Sequence, residues 1–286
     1  MRNPTVDHMY ALLGATGNTG RLILKRLLDT TDPETKLNIY VRSRSKLERL
    51  VPSVASDTRA TIFEGSLQDP ALICACLSGA TTIIATVGEN ENIPGVTILR
   101  DCAKAIIDAL SALRASAPDP AAAEWTPPRL LLLSSATWNA RFAAERPALV
   151  HWMIRNAFAR PYRDLVQAQE MLLGVPELVN VLLVQPNALV MEPATGCMIS
   201  TEFAYTAVSY EDLADGFVQL ATRPEYATTA AVGVSSARAA SPLLYVPFVF
   251  GKVIRGLLFQ FVPGYWQAEY AISGWFAGRA HKVKGT

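Results

Sequence analysis

The chain has 286 residues, of which 50% are hydrophobic, and its formal net charge is +1. This composition supports a large buried core and excludes a disordered protein. The nearly neutral charge balance provides no general attraction to nucleic acid, so we expect no nucleic-acid partner.

A glycine-rich turn follows the first predicted strand. The apolar run 9–13 predicts a buried strand, residues 21–28 predict a helix, and Gly14, Gly17 and Gly20 lie between them. Glycine at such positions allows a sharp turn, close approach of a pyrophosphate and tight packing of helix on strand. The helix amides and dipole then favour phosphate, whereas a tight turn without ligand is the alternative. The predicted dinucleotide contacts are Gly14, Thr16, Gly17, Asn18, Thr19 and Gly20.

Strands and helices alternate after this turn. The predicted strands are 37–41, 60–63, 81–87, 130–133 and 178–184, and the predicted helices are 46–51, 70–77, 96–113, 162–173 and 211–221. This alternation predicts an α/β fold, a doubly wound and mostly parallel Rossmann sheet that binds ligands at the carboxyl ends of its strands. We expect residues 1–185 to form the nucleotide-binding domain, with a surface insertion at 115–128. Residues 186–286 are expected to form a small substrate-binding lobe that is interleaved with the sheet, not an independent domain.

The residues after the second predicted strand are basic. The run 40–46 contains three cations and two serines but no acidic residue. An acid at this position binds the free ribose of NAD, whereas arginine accommodates the 2′-phosphate of NADP. We therefore predict NADP, bound through Arg42 and Arg44, with a solvated charge cluster as the alternative. From their place after the third and fourth strands, the adenine and nicotinamide ends of the cofactor are expected to contact Ser66, Leu67, Thr86 and Val87.

Cysteine spacing and the two ends of the chain restrict the remaining possibilities. The four cysteines form no CxxC pair, so we expect buried free thiols, no disulfide and no metal. Seven mostly polar residues precede the first strand and leave no room for a signal peptide, so we expect a cytoplasmic protein. The apolar segment 242–266 is interrupted by charged residues and prolines; we expect it to line a hydrophobic pocket, with membrane-surface contact as the alternative.

Several motifs occur in a characteristic order along the chain. They are the GxxGxxG turn, Gly65-Ser66-Leu67, Ser134-Ser135-Ala136-Thr137, Pro161-Tyr162 and Tyr210-Glu211-Asp212-Leu213-Ala214. Across residues 8–222 this order resembles the extended and atypical branches of the short-chain dehydrogenase/reductase superfamily. In that family a serine and a tyrosine hold the substrate carbonyl during hydride transfer, and a lysine four residues after the tyrosine supplies a positive charge. The resemblance implies that Ser135 and Tyr162 are catalytic.

The chain departs from the family pattern at the lysine position. Val166 occupies it and cannot supply a positive charge. Tyr162 then either donates a hydrogen bond without that charge or is an aromatic at a helix start with no chemical role. His151 lies in the segment that faces substrate in relatives and is a second candidate for proton transfer, unless it is a packed structural histidine. Arg163 and Asp164 are candidates to replace the missing charge.

Together these features predict an NADP(H)-dependent ketone or enone reductase that acts on a bulky, apolar small molecule. The resemblance extends to fungal proteins that act on polyketide or terpenoid intermediates. Two alternatives stay open because of Val166: a redox-neutral isomerase, cyclase or dehydratase, and a non-catalytic NADP sensor similar to NmrA-like regulators. The sequence leaves the oligomeric state open, a homo-oligomer included. The expected lining of an apolar pocket is Trp138, Phe142, Trp152 and Phe158.

Overall fold

The computed structural model describes residues 8–30, 32–116, 125–238 and 242–272, and in these residues an eight-stranded sheet dominates the fold. The strands are β1 (Met9–Leu13), β2 (Lys36–Val41), β3 (Ala60–Glu64), β4 (Thr82–Ala85), β5 (Arg129–Leu133), β6 (Asn180–Val184), β7 (Ala188–Val190), β8 (Cys197–Ser200), β9 (Ala207–Ser209) and β10 (Ala231–Ser236). Their order in the sheet is β3-β2-β1-β4-β5-β6-β10-β8, with β8 antiparallel and the others parallel, while β7 and β9 pair separately. This confirms the predicted doubly wound Rossmann sheet.

Helices cover both faces of the sheet. They are α1 (Asn18–Thr30), α2 (Arg44–Leu50), α3 (Pro70–Leu77), α4 (Ile98–Ala115), α5 (Ala140–Ala143), α6 (Ala148–Ala157), α7 (Ala159–Leu173), α8 (Tyr210–Thr222) and α9 (Pro242–Phe261). Helices α1 and α8 share one apolar core, and α3, α4 and α7 share the other. Strand β1 contributes to both, since Leu12 belongs to the first core and Leu13 to the second. Side chains of a strand alternate between faces, which is why the inner strands are continuous apolar runs.

Most predicted elements lie within a few residues of the observed ones. Helix α1 begins at Asn18, earlier than predicted, because the Gly17 amide already donates to the Gly14 carbonyl at 3.0 Å. Most of the predicted insertion, residues 117–124, lies outside the described residues, as do the polar residues 1–7. The apolar pattern did not predict α5, α6, α9 or the four strands β7, β8, β9 and β10.

The C-terminal third of the chain extends the same sheet through β10 and β8. Asp212, near the start of α8, is fully buried and connects α8 to β10 and to the residue before β8. Its carboxylate accepts hydrogen bonds from the Gly196 amide at 2.9 Å and from Ser236 Oγ at 2.5 Å. The motif around residue 212 therefore has a structural role here, and a substrate-binding role for residues 186–286 stays a prediction.

Helix α9 packs along α6, with Gly256 directly against the backbone of Ala157. A Cβ on Gly256 would lie 2.1 Å from the Ala157 carbonyl oxygen, so the close contact requires glycine. Within the described ranges, no helix has both the length and the apolar character needed to cross a membrane.

Candidate functional site

The glycine turn lies at the carboxyl ends of β1 and β4, where the strand order reverses. Gly14 has a φ of +95°, and a Cβ there would lie 2.8 Å from the Thr86 backbone. A Cβ on Gly20 would lie 2.2 Å from the Gly14 carbonyl oxygen, whereas one on Gly17 would lie 3.3 Å from the same atom. Two glycines are thus required by the fold, and Gly17 leaves the outer side of the turn open for a pyrophosphate.

The predicted contact residues around this turn have different positions. Gly17 and Asn18 are exposed, Thr16 is half-buried, and Thr19 is buried beneath the turn. Thr86 is buried, and its hydroxyl donates to the Leu13 carbonyl at 3.3 Å. The open surface of the turn is therefore formed by residues 16–18, and the Thr86 side chain holds the turn against β4.

The basic residues after β2 lie on an exposed corner. Arg42 and Arg44 are both exposed, and Ser43 begins α2 by accepting a hydrogen bond from the Lys46 amide at 3.2 Å. The Arg44 amide donates to Glu64 Oε1 at 3.0 Å. Glu64 closes β3, so the sheet places an acidic group at a corner where the run 40–46 has none. The pairing of β2 with β3 brings Glu64 there, a contact that the segment directly after β2 does not reveal.

The predicted adenine-side residues follow β3. The Tyr40 hydroxyl donates to the Ser66 carbonyl at 2.6 Å, and the Ser66 hydroxyl donates to Gln68. Burial, with the nearby Asp69 carboxylate, raises the pKa of Tyr40 to about 12, so its phenol stays protonated and can act as the donor. Leu67 packs at the edge of the second core.

Ser135 and Tyr162 meet at the carboxyl end of β5. Tyr162 lies in the first turn of α7, and its Oη is 3.3 Å from Ser135 Oγ. Thr137 Oγ1 is also 3.3 Å from Tyr162 Oη, and the Thr137 amide donates to Ser135 Oγ at 3.3 Å. Three hydroxyl groups thus converge where the resemblance predicts a proton donor. Thr137 belongs to the same sequence motif as Ser135, but the motif by itself gives no signal that Thr137 lies at the site.

Aromatic rings hold Tyr162 in place. Trp138 packs edge-on against the Tyr162 ring and Phe158 packs at a tilt, each with a centroid distance of 5.9 Å. Of the other predicted pocket residues, Phe142 is buried, whereas Trp152 is 51% exposed and stacks on Phe261. The walls next to Tyr162 are therefore apolar, while its hydroxyl faces polar groups.

The two residues considered as replacements for the missing lysine have other contacts. Asp164 is buried, and its carboxylate accepts hydrogen bonds from the Leu99 and Arg100 amides at 2.8 and 3.0 Å. It therefore caps the start of α4. Arg163 lines a cavity of about 320 Å³ between α4 and α7 that includes neither Ser135 nor Tyr162 in its lining.

A different cation, Arg146, lies beside the three hydroxyl groups. Its Nη1 donates to Thr137 Oγ1 at 3.1 Å, and its Nη2 donates to Asn187 Oδ1. Nη1 also lies 3.5 Å from His151 Nδ1. Burial lowers the pKa of Arg146, and burial together with Arg146 and Arg155 lowers the pKa of His151. His151 is therefore neutral near pH 7, which makes it a weaker candidate for an acid than its sequence position implied.

Sequence reasoning had no signal that distinguishes Arg146. The segment between Ser135 and Tyr162 contains four arginines, at positions 141, 146, 155 and 160, and only the folded chain shows which one reaches the hydroxyl groups. Cys76 and Cys102 are buried as predicted, whereas Cys74 and Cys197 are half-buried. Desolvation raises the pKa of Cys76, Cys102 and Cys197 to about 12, so these three thiols are poor nucleophiles.

A family model described as NAD(P)H-binding matches residues 14–224 of this chain. Oxidoreductase stcQ of Emericella nidulans is 37% identical over 259 residues, which cover 89% of this chain and 91% of that protein. Oxidoreductase aflX of Aspergillus parasiticus is 33% identical over 267 residues, which cover 91% of this chain and 94% of that protein.

Solved structures with this fold include nucleotide-bound proteins. A short-chain dehydrogenase/reductase (wide type) from Veillonella parvula in complex with NADP superposes with a TM-score of 0.61 at 20% identity, covering 80% of this chain and 95% of the other. The anaerobillin reductase ChuY from Escherichia coli O157:H7 superposes with a TM-score of 0.57 at 16% identity, covering 81% and 98%. At 20% and 16% sequence identity, the similarity to these two structures shows a shared fold and nothing further.

Proposed function

Because this chain belongs to the NAD(P)H-binding family and is an NAD(P)-dependent oxidoreductase by its relatives, we propose that it is an NADPH-dependent ketone or enone reductase. Its substrate is a bulky, apolar small molecule, such as a polyketide or terpenoid intermediate of a natural-product pathway. The convergence of Ser135, Thr137 and Tyr162 at the carboxyl end of β5 carries this proposal.

The chemistry follows from what these groups can donate. A bound NADPH supplies the hydride for the substrate carbon. Tyr162 Oη donates a hydrogen bond to the carbonyl oxygen and then transfers its proton to it, while Ser135 Oγ donates to Tyr162 Oη and orients it. Trp138 and Phe158 pack against Tyr162 and favour an apolar substrate over a charged one.

The glycine turn fits a dinucleotide. The amides at the start of α1 point to the open side of residues 16–18, and the helix dipole favours the pyrophosphate there. Arg42 is exposed directly after β2 and makes no ion pair within the described part of the chain, which supports its proposed contact with a 2′-phosphate. These features support NADP, although Glu64 at the same corner offers an acceptor for a ribose hydroxyl.

Turnover with a set of aromatic polyketide and terpenoid ketones and enones tests the function. We expect one mole of NADPH to be oxidised for each mole of substrate reduced, followed by absorbance at 340 nm and product mass. Substrate conversion without NADPH oxidation would instead identify a redox-neutral enzyme. Nucleotide binding with no conversion of any compound would favour the sensor.

Cofactor choice is tested by replacing Arg42 with alanine. We expect the Kd for NADPH to rise about 10- to 100-fold, because a charge-assisted hydrogen bond contributes about 1.5–3 kcal/mol. The Kd for NADH should change less than about twofold, since NADH has no 2′-phosphate. Both are measured by nucleotide fluorescence or calorimetry.

The matched control is Arg49→Ala, which removes an exposed arginine from the last turn of α2, the helix that begins two residues after Arg42. This variant should bind both nucleotides like the wild type. Equal losses for NADPH and NADH in Arg42→Ala would contradict phosphate recognition at this corner.

A further inference from the structure

The positive charge that the family places four residues after the tyrosine is absent at Val166, yet a guanidinium lies near Tyr162. Arg146 reaches it through one hydroxyl group, with Nη1 3.1 Å from Thr137 Oγ1 and Thr137 Oγ1 3.3 Å from Tyr162 Oη. Arg146 belongs to the loop between α5 and α6, so it approaches Tyr162 from a different element than α7.

The hydrogen bonds in this chain have a defined direction. A guanidinium can only donate, so Thr137 Oγ1 accepts from Arg146. The Thr137 hydrogen is then free to point at Tyr162 Oη, and Ser135 Oγ also donates to Tyr162 Oη. Tyr162 therefore receives hydrogen bonds from two hydroxyl groups, and its own hydrogen is available to a substrate oxygen.

Arg146 lacks an acidic partner within the described residues. Its hydrogen-bond acceptors are Thr137 Oγ1 and Asn187 Oδ1, both neutral, and His151 Nδ1 beside it is neutral as well. A second cation, Arg155, lies over the Trp138 ring and also acts on His151. A half-buried cation surrounded by neutral acceptors stabilises any negative charge that appears next to it. The nearest group that acquires such a charge during proton transfer is Tyr162.

We propose that Arg146, acting through Thr137, is the positioning residue that supports proton transfer from Tyr162, in place of the lysine that Val166 replaces. When the Tyr162 O–H bond breaks and the proton bonds to the substrate oxygen, the negative charge left on Tyr162 Oη is stabilised by Thr137 Oγ1–H. The Arg146 N–H polarises that hydroxyl group. A proton from solvent later restores Tyr162. This inference rests on the proposed reductase function.

The test compares Arg146→Met, Arg146→Lys and Thr137→Val with the wild type. We expect Arg146→Met and Thr137→Val to lower kcat about 10- to 100-fold with KM for substrate and nucleotide within about twofold, because the interaction acts in the transition state. The solvent deuterium isotope effect on kcat should rise as proton transfer becomes limiting. Arg146→Lys should recover most of the rate, since it keeps the charge.

A double-mutant cycle tests whether Arg146 affects the rate through Tyr162. If Arg146 acts only through Tyr162, Arg146→Met should cost almost nothing further in a Tyr162→Phe background. Carbon-13 NMR of nucleotide-free protein labelled at tyrosine Cζ provides a readout that is independent of turnover. The Tyr162 resonance, assigned with Tyr162→Phe, should change its chemical shift in Arg146→Met and in Thr137→Val but not in Arg141→Met, because the hydrogen bond from Thr137 Oγ1 to Tyr162 Oη is altered only in the first two.

Arg141→Met is the matched control, because Arg141 is exposed and pairs with Glu202. It should retain wild-type kcat and isotope effects. A rise in KM with unchanged kcat in Arg146→Met would overturn the inference and assign Arg146 to substrate binding. Additive losses in the double variant would also overturn it. If Tyr162→Phe leaves turnover unchanged, Tyr162 is not the proton donor. This single variant therefore distinguishes a failure of the proposed role of Tyr162 from a failure of the proposed role of Arg146.

Discussion

Replacing Tyr162 with phenylalanine is expected to lower NADPH-dependent turnover by about 10²- to 10⁴-fold, the usual contribution of a positioned proton donor. The variant keeps the ring that packs between Trp138 and Phe158 and removes only the hydroxyl group that meets Ser135 and Thr137. Nucleotide affinity and the unfolding temperature should therefore stay close to wild type. Steady-state kinetics, NADPH fluorescence and thermal unfolding provide the three measurements.

Tyr226→Phe is the control for loss of a phenol hydroxyl elsewhere. The Tyr226 carbonyl accepts a hydrogen bond from Arg129 at the start of β5, so this tyrosine lies at the edge of the sheet opposite the site. We expect no change in kcat for this variant. Unchanged turnover in Tyr162→Phe would remove Tyr162 as the proton donor and favour a route through solvent.

Substitutions in the glycine turn are expected to have the second large effect. Two of them distinguish a glycine that the fold requires from one that nucleotide binding requires. Gly20→Ala places a Cβ 2.2 Å from the Gly14 carbonyl oxygen, a contact between backbone atoms that only a shift of α1 can relieve. We expect a lower unfolding temperature, a loss of more than about 2 kcal/mol in stability, and at least about 100-fold weaker NADPH binding.

Gly17→Ala should weaken binding without the loss of stability. Its Cβ would lie 3.3 Å from the Gly14 oxygen, which small adjustments accommodate, but it would occupy the side on which the pyrophosphate approaches. We expect a 10- to 100-fold higher Kd, which corresponds to about 1.4–2.8 kcal/mol. Gly251→Ala, where the added Cβ meets nothing within 4 Å, is the control. It should leave the Kd unchanged and should not lower stability, since alanine is favoured over glycine inside a helix such as α9. Wild-type affinity in Gly17→Ala would exclude pyrophosphate binding at this turn.

The nucleotide-binding half could be predicted from the sequence because its signals are local. A buried parallel strand needs a continuous apolar run, and β1 has one immediately before three glycines at the required spacing. Strand β1 and helix α3 have the predicted bounds for the same reason. Helix α6 and strands β8 and β10 were missed because they are short or weakly patterned, and their stability comes from packing against α9, α8 and β6.

The corner at which Ser135 and Tyr162 meet shows what a local sequence pattern does not predict. Ser135 and Tyr162 are 27 positions apart, and their meeting depends on β5 and α7 packing side by side. Glu64 reaches the Arg44 amide because β3 pairs with β2, a contact over 20 positions. In both cases the side chains are brought together by strand pairing or helix packing, which no short window of sequence contains.

The sequence by itself determined the Rossmann architecture and the glycine turn after β1, because apolar periodicity and glycine spacing act over a few residues and need no distant partner. It also identified Val166 as the departure from the family. Only the tertiary structure decided that Asp164 caps α4 and that Arg146 lies behind Thr137 and Tyr162. The physical reason is that the interaction between charged and polar groups depends on their distance in space. The fold therefore determines which cation lies near Tyr162, and separation along the sequence does not.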